Sequence, residues 1–286
     1  MLLSRVALAA FLALGQPVLA ETPAVDPAAD SAAEVSVDRV AEVMRLGDLF
    51  EVLREEGVAH GAELQADMFP SGGGADWTAD VSDIYDADRL QTAFLEALRA
   101  RMSDQPENME AIIAFFGSDL GQRIVALEID ARRAFIDTAT EEAARVAADD
   151  ANAAKDPKVA LIRQMIEAGD LLEMNVAGAL SGSLAFMTGM SESGAYGAIP
   201  QDQLLSDVWG QEEQVRTDTS TWLYAYLGLA YHPLTEAELK SYIAFWESPA
   251  GQALNAGLFG AFDTVFRQVS LDLGRAAGRA MQGRDI

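Results

Sequence analysis

The stretch Met44-Arg45-Leu46-Gly47-Asp48-Leu49-Phe50-Glu51 returns later in the chain as Ile166-Glu167-Ala168-Gly169-Asp170-Leu171-Leu172-Glu173. A second stretch, Ile113-Ala114-Phe115-Phe116-Gly117-Ser118-Asp119-Leu120-Gly121-Gln122, returns as Ile243-Ala244-Phe245-Trp246-Glu247-Ser248-Pro249-Ala250-Gly251-Gln252. Gly47 and Gly169 lie 122 residues apart, as do Met68 and Met190, while the spacing grows to 124 at Asp83 and Asp207 and to 130 at Gly121 and Gly251. Two insertions in the second copy account for that drift. A period this long is outside the range of stacked short repeats. It predicts two pseudo-symmetric multi-helix subdomains from an internal duplication, helical repeat 1 over 37–150 and helical repeat 2 over 158–282.

Apolar residues from Val40 through Val43, Met44, Leu46, Leu49, Phe50 and Leu53 fall at helical spacing. Gly47 and Gly57 are candidate kinks in that helix, and the repeated pair Gly47-Asp48 and Gly169-Asp170 reads as a duplicated helix irregularity. Longer helices are expected over 81–102 and 204–229. Thr235 with Glu238 forms a capping box, and Asp104 with Glu107 is expected to do the same in the first copy. Ser118 and Ser248 are placed to cap the next helix, with Pro249 at its first position, where no amide donor is needed. Gly121 and Gly251 would then let two backbones approach at the corner. The helices that follow are expected over about 119–148 and 249–281. Strand-like alternation is absent, so the fold class is all-α.

Residues 1–20 have Arg5, an apolar run over 6–14 and Val18-Leu19-Ala20, the pattern of a cleaved secretory signal. Gly15-Gln16-Pro17 interrupts the run before it reaches the roughly 20 residues of a membrane span. A flexible leader is expected over 21–36, and no transmembrane segment after cleavage. The chain has no cysteine, so an exported, periplasmic protein of this kind must be held by its apolar core. Its formal charge of −25 argues against nucleic acid and anionic membranes as partners, and is first of all a solvating surface.

The run Leu234-Thr235-Glu236-Ala237-Glu238-Leu239-Lys240-Ser241-Tyr242-Ile243-Ala244-Phe245-Trp246-Glu247-Ser248-Pro249-Ala250-Gly251-Gln252 resembles the signature of the bacterial exported family named domain of unknown function 2059. That signature has a Thr-x-x-Glu-Leu start, an aromatic pair and a Ser-Pro-x-Gly-x-Lys ending. Gln252-Ala253 departs from the ending, and Asp119 stands in place of the proline in the first copy. The likeness is sharpest over about 224–255 and weaker over 109–129. It implies a helical exported protein and attaches no catalytic residue.

Catalytic and cofactor chemistry is sparsely signalled. The two histidines, His60 and His232, are not duplicated. His60 with Glu56 or Glu63 makes a poor transition-metal set, and reads as a solvated helix-face residue; His232-Pro233 reads as a turn. A Ser–His–Asp triad has no Gly-x-Ser-x-Gly elbow to support it. Asp80, Asp83, Asp86 and Asp88 lack the alternation of a calcium loop and read as an acidic helix start. Phe115, Phe116, Phe245, Trp246, Phe259, Phe262 and Phe266 are expected in the core. No catalytic, cofactor or metal residue is assigned. The leading expectation is a non-enzymatic protein that binds another protein or an envelope component. Alternatives are a carrier for an apolar small molecule, suggested by Met165, Met174, Phe186, Met187 and Met190, and a hydrolase using two carboxylates across a cleft.

Overall fold

Two serines turn the chain through nearly identical corners. Ser118 Oγ accepts the Gly121 amide at 3.1 Å and donates to the Phe115 carbonyl at 2.6 Å; Ser248 makes the same pair of bonds, at 3.1 and 2.6 Å, with Gly251 and Phe245. Each corner is clamped by the next glutamine. Gln122 Nε2 donates to the carbonyls of Phe116 and Val43, and Gln252 Nε2 to those of Trp246 and Ala168. These side chains satisfy helix-end carbonyls that have no partner within their own helices.

The computed structural model describes residues 37–70, 73–195 and 199–282. The signal expected over 1–20 and the leader over 21–36 lie outside the described residues. A helical stretch α1 (37–43) is followed by α2 (Leu46–Met68), α3 (Gly74–Ile84), α4 (Ala87–Met102), α5 (Pro106–Phe116), α6 (Asp119–Ala134) and α7 (Thr138–Ala153). The second half holds α8 (Pro157–Ala168), α9 (Leu171–Glu192), α10 (Gln201–Trp209), α11 (Glu212–Tyr231), α12 (Glu236–Trp246) and α13 (Pro249–Gln282). Among the described residues there is no strand, and the protein is all-α.

The halves interleave. α13 lies along α9 and also packs on α4, α5 and α3, while α11 packs on α7, α9 and α6. The aromatic pairs of the two corners meet: Phe115 stacks on Phe245 with centroids 4.2 Å apart, and Phe116 packs edge-on against Trp246 at 6.3 Å. One apolar core runs from Val37 to Ala277 through both halves. A small satellite of Val176, Ala179, Leu180, Val208 and Val215 seats α10. Of the expected core aromatics, Phe116, Phe245, Trp246, Phe259 and Phe262 are buried, and Phe115 and Phe266 are half-buried.

Several breaks differ from the sequence reading. The stretch 81–102 divides at Tyr85-Asp86, where Asp86 caps α4 by accepting the Arg89 amide at 2.9 Å. The stretch 119–148 divides at Asp137, which caps α7 through the Thr140 amide at 3.1 Å, and 204–229 divides at Gly210-Gln211. Short Asp side chains outcompete the helical ladder at the first two points. α5 is not opened by Asp104: Gln105 takes the N-cap position without a side-chain bond, because Pro106 holds the first helical position. Thr235 and Glu238 do form both bonds of a capping box.

The pair Gly47-Asp48 also needs correcting. α2 runs through Gly47 and Gly57 without interruption, and the break comes earlier, at Arg45, whose φ is 52°. In the second half the left-handed residue is Asp170, with φ 51°. Arg45 therefore occupies the place of Asp170, and the sequence match of Gly47 with Gly169 is three residues out of structural register. A Cβ on Gly47 would meet only Gln91 Oε1, at 3.9 Å, so that glycine is not required by packing. Gly57 is required: a Cβ there would sit 2.1 Å from the Tyr85 ring.

Candidate functional site

One face of α2 carries Leu53, Glu56, Gly57, His60 and Glu63 at helical spacing, and this face floors a cleft of about 500 Å³. The end of α6 contributes Arg132, Phe135 and Ile136; α7 contributes Glu141, Glu142 and Arg145; α11 contributes Asp218 and Trp222; Tyr85 and Phe266 complete the lining. The cleft is thus built by helices of both halves.

Its charged floor is a pair from two distant helices. Arg132 Nη2 donates to Glu56 Oε2 at 2.7 Å, with the arginine side chain only 8% exposed. Burial raises the Glu56 carboxyl above its ordinary range, and the Arg132 guanidinium opposes that shift without cancelling it. A second pair, Arg145 to Glu141 at 2.6 Å, spans one turn of α7. The Tyr85 hydroxyl and Arg132 Nε, both buried on the lining, have no hydrogen-bond partner among the described residues. Burial holds the Tyr85 hydroxyl well above the usual phenol range, so it stays protonated.

The aromatic wall leads inward to a polar knot. Trp222 stacks on Tyr226 at 4.7 Å, and Phe135 meets both rings edge-on. Tyr226 donates its hydroxyl to the Glu128 carbonyl at 2.9 Å. The Glu128 carboxylate, one turn before Arg132 on α6, accepts the hydroxyls of Tyr231 at 2.7 Å and Tyr242 at 2.8 Å on a single oxygen. Burial pushes this carboxyl up to about 7 although both hydroxyl bonds pull it down. The knot ties α6 to α11 and α12, across the two halves.

His60 is not a solvated helix-face residue. It is 6% exposed and lines the cleft, on a turn of α2 that α3 packs against, where Trp77 Nε1 donates to the Gly61 carbonyl at 2.9 Å. His232 caps the end of α11, where its carbonyl accepts Lys158 Nζ at 2.7 Å. Asp80 pairs with Arg279 and Asp86 caps α4; among the described residues no group of His, Asp or Glu is arranged to hold a metal ion. Met165, Phe186 and Met190 are buried in the core, Met174 packs against it and Met187 against the satellite around Val176; none of the five lines this cleft. Ser118, Gly121, Ser248, Pro249 and Gly251 sit at the corners, away from the cleft lining. Among the described residues no helix is long and apolar enough to cross a membrane.

Arg132, Tyr85, Trp222 and Glu128 were missed from the sequence. Glu128 did leave a signal, since its helical neighbours Ile124, Val125 and Ile129 place a carboxylate on an apolar face.

The class defined by this architecture is a helical protein with one interleaved core and a mixed aromatic and ionic cleft. Residues 88–150, from α4 to α7, match the model of the family described as "Uncharacterized protein conserved in bacteria (DUF2059)". The match falls on the first corner, and not on the segment 224–255 where the likeness in the sequence is sharper. No curated protein and no solved structure matches the chain.

Proposed function

We propose that this is an exported, non-enzymatic binding protein of the bacterial cell envelope, built by duplication of one helical unit, and that its cleft receives a small organic ligand. The observation that carries this is the cleft itself. At about 500 Å³ it has the size of a small-molecule site, and it combines aromatic walls with a few fixed polar groups. Glu56 and Glu141 are each held by an arginine, which suits a preorganised binding floor. The signal-like 1–20 segment supports export.

Native mass spectrometry of protein purified from its own host tests the reading. A bound small-molecule mass that disappears in Trp222→Ala is the expected result; apo protein in every preparation, together with no ligand-induced rise in melting temperature across a metabolite library, overturns it. Fractionation of the host cells tests export separately.

A protein partner is the second reading, favoured by Leu205 and Trp209 on the outer face of α10, 37% and 61% exposed. One turn apart, they form an apolar pair of the kind that anchors interfaces. Loss of a cross-linked envelope partner on Trp209→Ala, with the cleft ligand retained, would favour it.

A further inference from the structure

We propose that the ligand of the cleft is an organic cation, an ammonium or guanidinium group on a compact apolar body that also carries an oxygen acceptor. This inference rests on the reading of the cleft as a ligand site.

Five carboxylates line the cleft against two guanidinium groups. Both arginines are already engaged, Arg132 with Glu56 at 2.7 Å and Arg145 with Glu141 at 2.6 Å. An anionic ligand would have to compete with these internal carboxylates and would face Glu142 and Asp218 on the lining. A cation meets the opposite balance. The aromatic rings on the walls add to it, because a ring face attracts a cation, and does so more strongly where water is excluded.

The two orphaned polar atoms define the rest of the ligand. The Tyr85 hydroxyl is buried without a partner, and its lone pairs can accept an N–H from a cationic nitrogen. Arg132 Nε–H is buried without an acceptor, and a hydroxyl or carbonyl next to that nitrogen would supply one. A buried donor or acceptor left unpaired is costly, so a ligand that satisfies both gains over one that satisfies neither. The formal charge of −25 also raises the local concentration of cations around the protein.

Titration calorimetry with three probes that share one benzyl body tests this: phenylalaninol, a cation with a hydroxyl; N-acetylphenylalaninol, its uncharged amide derivative; and phenyllactate, an anion with a hydroxyl. Phenylalaninol is expected to bind at least about tenfold more tightly than the other two. That preference should weaken with added salt and collapse in the double variant Glu142→Gln with Asp218→Asn, which changes only rim residues. Equal or tighter binding of the neutral or anionic probe, lost in Trp222→Ala, overturns the cation inference and keeps the cleft as a ligand site. No binding of any probe overturns both.

Discussion

The substitution Gly251→Ala places one methyl group where the structure has no room for it. A Cβ at this position would lie 2.1 Å from the Phe245 carbonyl oxygen and 2.7 Å from the Trp246 Cα. Both obstacles are backbone, fixed by the Ser248 cap and by Gln252 bound to the Trp246 carbonyl at 2.7 Å, so no side chain can swing aside. An ordinary carbon–oxygen contact is longer by about 1 Å, and opening the corner that far would pull Phe245 off Phe115 and Trp246 out of the core. Overpacking of this kind costs about 3 kcal/mol, and the better helix propensity of alanine returns up to about 1, for a net loss of about 2 kcal/mol. Gly228 on α11 provides the control, since a Cβ there meets nothing within 4 Å. Gly228→Ala should therefore stabilise, by up to about 1 kcal/mol. Urea unfolding of the two variants beside the parent measures both signs. A Gly251→Ala protein as stable as the parent would refute the close backbone approach at the corner.

Glu128→Gln should flatten part of the pH dependence of stability. With its carboxyl raised from 4.5 to about 7 in the folded protein, Glu128 contributes stability that is full below 4.5 and lost as pH rises to about 7, on the order of 3 kcal/mol in all; denaturation of parent and variant across that window reads the difference. Arg132→Met should cost about 3 kcal/mol at mildly alkaline pH by leaving the Glu56 carboxylate unpaired, and less under acid conditions that protonate it; an equal loss at both would show that packing, not charge, is what Arg132 supplies. Lys155, exposed and left-handed with φ 56°, ends α7 in the conformation that suits glycine, so Lys155→Gly should raise stability by about 0.5–1 kcal/mol in a thermal melt.

The all-α class was legible because each helix buries a stripe of apolar residues at its own period, and the corners were legible because Ser, Pro and Gly act within four residues of chain. Breaks inside long apolar patterns were harder. Asp86 and Asp137 end one helix and begin another without disturbing the hydrophobic period on either side, so periodicity alone runs through them. The cleft was the least legible part. Glu56 and Arg132 are 76 positions apart and are brought together only by the packing of α2 on α6. The burial of His60 likewise depends on neighbouring helices, α3 among them, packing on a turn that in isolation faces water.

The register of the two halves shows how local matching can mislead. Gly-Asp-Leu occurs in both, yet the structure sets Arg45, not Asp48, against Asp170. What the halves share at this point is a backbone event: the chain leaves one helix, passes through a single left-handed residue and enters the next at Leu46 or Leu171. The corner glutamines bind two residues before that point in each half, at the carbonyls of Val43 and Ala168, so the contact itself counts the register from the break. Aspartate tolerates the left-handed conformation better than arginine does. A residue suited to the break is thus present in the second half and three positions late in the first, where Asp48 instead accepts from Arg45 Nε at 2.8 Å. The same residue type takes the left-handed position in one half and pairs with the left-handed residue in the other, and no alignment of letters separates those two roles.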